Sequence, residues 1–338
     1  LCERGDLALG LLGLSQCLDQ TPADATDLRH AIRVNLASWS QRLPIQMTAP
    51  MEHRHAVWAV ACSPDGATIL TGCWDGTARF WNASTGKPFG PLLSHPDRVT
   101  AVAYSRDGKT ALTCCNDGVR RWNTLTGQAV GDLLPHEHPV TSAVYSADGN
   151  AILVVGGGKF ARWNAKSGDR LPPLLFPKGS YAIELSPDGK TILMGGGKGH
   201  QLWDLATDKL RRTLPDLKGV VVAAFSPDGK WLLTSVEVKA QLWETATGKA
   251  VGPTLIHQDI VSSLAFSPDG RTFLTGCEDA TVRCWDTVTR APIGPPIMHP
   301  GSVWAVAFHQ DGQSILPGCG DMKARLWKIP SRESLGLV

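Results

Sequence analysis

The 338-residue sequence predicts an all-β fold: a seven-bladed β-propeller of four-stranded antiparallel blades, led in by a short α-helical hairpin. Three observations predict it. First, Asp-Gly pairs at Asp65, Asp107, Asp148, Asp188, Asp228, Asp269 and Asp311 are followed 15 or 16 residues later by Trp81, Trp122, Trp163, Trp203, Trp243, Trp285 and Trp327, with 40 to 42 residues between copies. Second, each copy contains short β-rich runs separated by turn signals such as Ser-Pro-Asp-Gly. Third, a unit this small cannot bury both of its faces alone, so units stack, and a closed ring leaves no free ends.

Residues 1–43 follow a different period. Leu7, Leu11, Leu14 and Leu18 recur at helical spacing, Thr21, Pro22 and Asp24 interrupt, and Leu28, Ile32, Leu36 and Trp39 recur again. Two helices in a hairpin are expected, serving as a cap on the ring or as half of a helical repeat. Residues 44–338 are expected to form the propeller.

In the first copy, Val57 to Asn82 holds three runs separated by turns at Ser63–Gly66 and Trp74–Gly76. A fourth run, Lys87 to Ser94, carries Gly90 and Pro91, as an edge strand does. The next copy begins at His95. Counting back in the same way from Val57 reaches His53, so Ile45 to Glu52 aligns with a fourth strand that belongs to another copy. Gln46 to Met51 is therefore expected to complete blade 7 beside the strand ending in Trp327. The tail Ser331 to Val338, apolar at Leu335–Val338, competes for that edge.

His95, Val99, Ser105 to Gly108, Thr113, Asp117 and Trp122 match the His, Val, Ser-x-Asp-Gly, Ser/Thr, Asp and Trp positions of the WD40 family. The sequence resembles that family from residue 44 to about 330. The resemblance implies a buried hydrogen-bonded tetrad in each complete blade: His53, Thr71, Asp75 and Trp81 in blade 1, His95, Thr113, Asp117 and Trp122 in blade 2, and His257, Thr275, Asp279 and Trp285 in blade 6. Blade 7 keeps His299, Asp321 and Trp327, with Pro317 in place of the hydroxyl. Blades 3, 4 and 5 lose the turn Asp, and that arc is expected to be less braced. The helical lead-in, the Ser-Pro-Asp-Gly blades and the Thr-Gly after Trp also resemble, more loosely, the C-terminal region of large bacterial serine/threonine protein kinases. That implies a sensor or substrate-docking module in a signalling protein.

Composition narrows the function. A net charge of +2, with 43% hydrophobic and 19% charged residues, provides no nucleic-acid stripe and no polybasic anchor. The apolar runs are too short to span a bilayer. Of nine cysteines, Cys73, Cys115, Cys277 and Cys319 share one repeat position on different blades, beyond the ~7 Å reach of a disulfide. Buried thiols in a reducing, cytoplasmic compartment are expected. The chain begins at Leu1 and shows no secretory signal, so a piece of a longer protein is expected, and a membrane-anchored parent remains compatible with it.

The recurring His, Thr and Asp have the composition of a hydrolytic triad, but the set repeats in three blades, each time with a Trp to occupy the hydroxyl. No catalytic residue is expected there, and no metal or cofactor. Gly156–Lys159 and Gly195–Lys198 lack the phosphate-loop pattern and read as tight hairpins.

What remains is surface. In WD40 relatives one face of the ring shows the residue after the first-strand Val, here Trp58, Thr100, Thr141, Tyr181, Val221, Ser262 and Trp304. The same face shows the residue before the turn Asp, here Trp74, Asn116, Glu278 and Gly320. Blades 7 and 1 adjoin in a closed ring, so Trp304, Trp58 and Trp74 are expected to cluster beside Arg98, with Tyr181, Asn116 and Glu278 on the same face. Aromatics and Arg anchor interfaces. The expected function is a non-catalytic scaffold for a protein or peptide, not for nucleic acid. The competing readings are channel-lining tryptophans that only pack, a small-ligand receptor or enzyme using the central channel, and a self-assembling structural scaffold.

Overall fold

The computed structural model describes residues 7–40, 43–146, 148–157, 159–172, 181–195, 200–205, 207, 209–214 and 222–330. Two helices open the chain: α1 (Leu7–Gln20) and α2 (Thr26–Ser40), packed on one another. Thr21 donates its hydroxyl to the Cys17 carbonyl at 2.6 Å, and Arg29 reaches back to the Thr21 and Leu18 carbonyls at 2.5 and 3.3 Å. These bonds satisfy the open end of α1 and fix the turn. Ile32 of α2 is buried.

Seven antiparallel sheets follow among the described residues. Blade 1 is the pattern: Val57–Cys62, Thr68–Cys73, Thr77–Asn82 and Pro88–Ser94 pair in chain order. In each Ser-x-Asp-Gly turn that keeps the serine, its hydroxyl donates to the Asp, as Ser63 does to Asp65 at 2.5 Å, while the Asp accepts a backbone N–H two residues on. Such local bonding favours the turn over strand continuation. Three strands of blade 3 are described, Val140–Tyr145, Ala151–Gly156 and Lys159–Asn164, and Gly156 opposite Lys159 closes the tight hairpin expected there. Gly195–Lys198 falls mostly outside the described residues.

The ring closes at blade 7 with an N-terminal strand. Its first two strands, Val303–Phe308 and Ser314–Cys319, and a third in two pieces, Lys323–Ala324 and Trp327–Lys328, are completed by Ile45–Gln46 and Met51–Glu52. Ile45 lies opposite Lys328, Gln46 opposite Trp327, Met51 opposite Ala324 and Glu52 opposite Lys323. Met51 is fully buried among Val57, Trp81, Leu316 and Leu326, so this strand joins blade 7 to blade 1. Ser331–Val338, the competitor for the edge, lies outside the described residues.

Small residues on the second strands set how closely blades approach. A Cβ on Gly72 would lie 2.5 Å from Val99 of blade 2, and one on Gly318 would lie 2.8 Å from Val57 and Val60 of blade 1. The valine layer of the following blade fills that space. The described cysteines are free thiols. Cys73, Cys115 and Cys277 sit 3.2 to 3.3 Å from the carbonyls of His55, Asp97 and Asp259. Burial pushes Cys319 up to about 12, so it stays protonated at neutral pH.

Candidate functional site

The buried histidine–threonine–tryptophan contacts come first, because they hold the frame. In blade 2, Trp122 Nε1 donates to Thr113 Oγ1 at 2.7 Å, and that hydroxyl lies 2.6 Å from His95 Nε2. His95 Nδ1 is 3.2 Å from the Gly76 carbonyl, which can only accept. The proton is therefore on Nδ1, and Nε2 accepts from Thr113. Blade 6 has the same pair of contacts, Trp285 to Thr275 at 3.0 Å and Thr275 to His257 Nε2 at 2.8 Å.

The expected four-membered tetrads differ in two ways. In blade 1, Trp81 donates to Thr71 at 2.8 Å, but among the described residues His53 Nε2 has no hydrogen-bond partner, and its ring meets Trp81 edge-to-face at 5.3 Å. The turn aspartates also bond elsewhere. Asp117 takes both Arg120 donors at 2.9 and 2.7 Å, Asp279 takes Thr281 and Arg283, Asp321 pairs with Arg325, and Asp75 accepts from Thr77 at 2.6 Å. A neighbouring guanidinium holds a carboxylate better than a neutral imidazole does.

Bracing also departs from the expected arc. Blade 5, without a turn Asp, keeps Trp243 to Thr234 at 2.8 Å, whereas among the described residues Trp163 of blade 3 and Trp327 of blade 7 have no partner for Nε1. Trp203 of blade 4 bonds within its own strand, to Gln201 at 3.1 Å. Each cross-strand bond contributes about 0.5–1.5 kcal/mol. Hydrogen exchange is therefore expected to open the second and third strands of blades 3 and 4 before those of blades 2 and 6; equal protection would contradict this.

Burial lowers His53, His95 and His299 from 6.5 to about 4, helped by Arg79, Arg120 and Arg325 respectively. The unfolded chain takes up these protons at a higher pH than the folded one, so stability falls as pH drops from 6.5 towards about 4. Glu184 opposes this: burial raises its carboxyl from 4.5 to about 8, and its contribution is lost as pH rises across that interval. With three histidines against one glutamate, the urea midpoint is expected to be lower at pH 5 than at pH 7. A higher midpoint at pH 5 would contradict the assignment.

The surface cluster is built on this frame. Strand alternation buries Val57 and Val303 and turns Trp58 and Trp304, the next residues, to the other side, where both are half-buried. Trp304 and Trp58 stack with centroids 4.6 Å apart and planes at 20°, across the junction of blades 7 and 1. Trp74, in the blade 1 turn, meets Trp58 at 4.7 Å and 56°, and Arg98 of blade 2 lies over Trp74 with Cζ 4.4 Å from the ring centroid. His55 stacks on Trp74 at 6.4 Å. Gly320 occupies in blade 7 the position of Trp74, and a Cβ there would lie 3.2 Å from Trp304 Nε1. Its lack of a side chain leaves Trp304 room to lie against Trp58.

The structure thus brings Trp58, Trp74, Trp304 and Arg98 together. Asn116 joins through Asp97, the neighbour of Arg98, to whose carboxylate it donates. Glu278 sits at the blade 6 margin, its carbonyl accepting from Ser302 at 3.0 Å. Tyr181 begins the first strand of blade 4, away from this sector, and its side chain lies outside the described residues, as does Val221. Thr100 and Ser262, at the repeat position of Trp58, donate to the carbonyls of Val140 and Val303 in the next blades. In blades 2 and 6 that position is stitching; the tryptophans replace the stitch with aromatic surface. His55 carried no repeat signal.

A cleft of about 590 Å³ opens between blades 4 and 5, lined by Asp188, Arg211, Asp228 and Lys230 among others. Between blades 1 and 2 and between blades 2 and 3 the hydroxyls of Tyr104 and Tyr145 bond Thr68 and Thr110 at 2.9 and 2.8 Å; Phe225, at the same repeat position, carries no hydroxyl. Arg211 of the cleft is already held by Asp204 and by Thr191 at 3.0 Å. Among the described residues no group of three or more His, Cys, Asp or Glu is placed to hold a metal ion, and no helix is long and apolar enough to cross a membrane.

The WD domain, G-beta repeat family model matches residues 47–82, 86–123, 252–286 and 296–328. Each segment holds the first three strands of blade 1, 2, 6 or 7 together with the fourth strand of the blade before it, and these four blades form a contiguous arc with the tryptophan stack at its middle. No curated protein matches the chain in a sequence search. The chain is a seven-bladed β-propeller, and its repeats in blades 1, 2, 6 and 7 match the WD domain, G-beta repeat model.

Proposed function

We propose that the protein is a non-catalytic platform that docks a protein or peptide segment across blades 7, 1 and 2. The observation that carries this reading is the half-exposed run Trp304–Trp58–Trp74–Arg98, held by strand ends on a closed ring. Large aromatics and Arg in a pre-positioned array lose little entropy on binding, and such residues dominate interface energetics. The reading extends to a sensor or substrate-docking module of a larger bacterial signalling protein, a serine/threonine kinase among them, supported by the helical lead-in and the Ser-Pro-Asp-Gly blades. Buried, protonated thiols support a reducing, cytoplasmic setting. Panning a random peptide library on the intact chain tests the docking face. Selected peptides are expected to lose binding to the Trp58→Ala and Trp74→Ala variants, and unchanged affinity for both variants would overturn it. Light scattering after size exclusion separates this adaptor, a monomer, from a self-assembling scaffold.

A further inference from the structure

The tryptophan stack has two ends, and among the described residues a cation caps only one of them. At the blade 2 end, Arg98 covers Trp74, and the adjoining Asp97 is satisfied by the Asn116 amide. At the other end, Trp58 covers one face of Trp304. The opposite face lies away from Trp58, and among the described residues no Lys or Arg stacks on it.

Blade 6 carries charge in the turn that Ser302 contacts. Asp259 and Glu278 hold the repeat positions of Asp97 and Asn116: two residues after the blade's histidine, and immediately before its turn Asp. Where blade 2 sets an amide against a carboxylate, blade 6 sets two carboxylates against each other. Burial and the Asp259 charge together raise the Glu278 carboxyl above its ordinary range. The hydrogen bond from Ser302 to the Glu278 carbonyl ties this pair to the strand that bears Trp304, two residues further on. Three cations of blades 6 and 7 are engaged elsewhere: Arg283 by Asp279, Arg325 by Asp321, and Lys323 by Glu52.

We infer that the open face of Trp304 receives a Lys or Arg side chain of the docked segment, with Glu278 and Asp259 supplying the counter-charge. This rests on the docking reading and adds its chemistry: a basic residue stacked on one indole completes an array that ends in the chain's own Arg98 at the other. An aromatic face flanked by carboxylates attracts a guanidinium or ammonium through both the ring quadrupole and the charges.

The test uses the intact chain with its tryptophan indoles labelled with nitrogen-15, titrated with N-acetyl-arginine amide and with N-acetyl-citrulline amide, its neutral analogue of the same shape. The arginine compound is expected to shift the Trp304 indole N–H saturably, and the citrulline compound to bind at least about fivefold more weakly. The E278Q/D259N double variant, which leaves every tryptophan in place, is expected to weaken arginine binding by about fivefold or more. Equal response to the two compounds, or arginine binding unchanged in the double variant, overturns the inference. Selected peptides that bind through Trp58 without needing a basic residue also overturn it and leave the docking face standing. If instead no peptide depends on Trp58 while the arginine compound still titrates Trp304, the docking reading fails and the cation site stands.

Discussion

Removing residues 1–52 is expected to abolish the cooperative unfolding transition and drive the protein into aggregates, whereas removing only residues 1–43 leaves the ring folded. The shorter deletion spares Ile45–Gln46 and Met51–Glu52, which supply the fourth strand of blade 7. The longer one exposes the backbone donors and acceptors of 323–328 as an open sheet edge, which recruits other chains. It also takes Met51 out of its cluster with Val57, Leu316 and Leu326. Met51→Ala alone is expected to cost about 2–5 kcal/mol, as other fully buried large-to-small changes do. A monomeric product of the longer deletion with an unchanged melting temperature would contradict this, and would assign the closing strand to residues 331–338.

Trp58→Ala and Trp304→Ala are expected to weaken binding of a selected peptide by about 10- to 100-fold, the range of a central interface anchor. Folding is expected to suffer less. Both side chains are half-buried on a face, so the losses are mainly the mutual aromatic contacts, about 0.5–1.5 kcal/mol per pair. Gly320→Ala is expected to weaken binding more mildly, because the new methyl presses on Trp304 Nε1 and tilts that indole from Trp58. Leu125, 87% exposed in a turn of blade 2, is the neutral control.

The ring and its closure are legible in the sequence because the repeat supplies a coordinate system. Val57 preceded by His53 shows that Ile45–Glu52 has a fourth strand's position without a blade of its own before it, which makes it, with the tail Ser331–Val338 as its competitor, the strand for the edge of blade 7. The same coordinates place Trp304 beside Trp58, since closure makes blades 7 and 1 neighbours. Pairing chemistry was less legible. Repeat positions gave Asp117, Asp279 and Asp321 a histidine as partner, but Arg120, Arg283 and Arg325, three or four residues on, take the carboxylates, and a motif of conserved positions does not show that competition. Trp243 keeps Thr234 without a turn Asp because that bond needs only register between the second and third strands. The opposition of Asp259 and Glu278 acquires meaning only once the Asp97–Asn116 bond in the sister blade is seen.

The most direct test of the docking account is calorimetric titration of one library-selected peptide into the parent chain and into Trp58→Ala, with both proteins shown to melt as folded rings. The account predicts a fall in affinity of about tenfold or more in the variant. Equal affinities would contradict it and return the Trp304–Trp58–Trp74 stack to the role of packing in the wall of the ring.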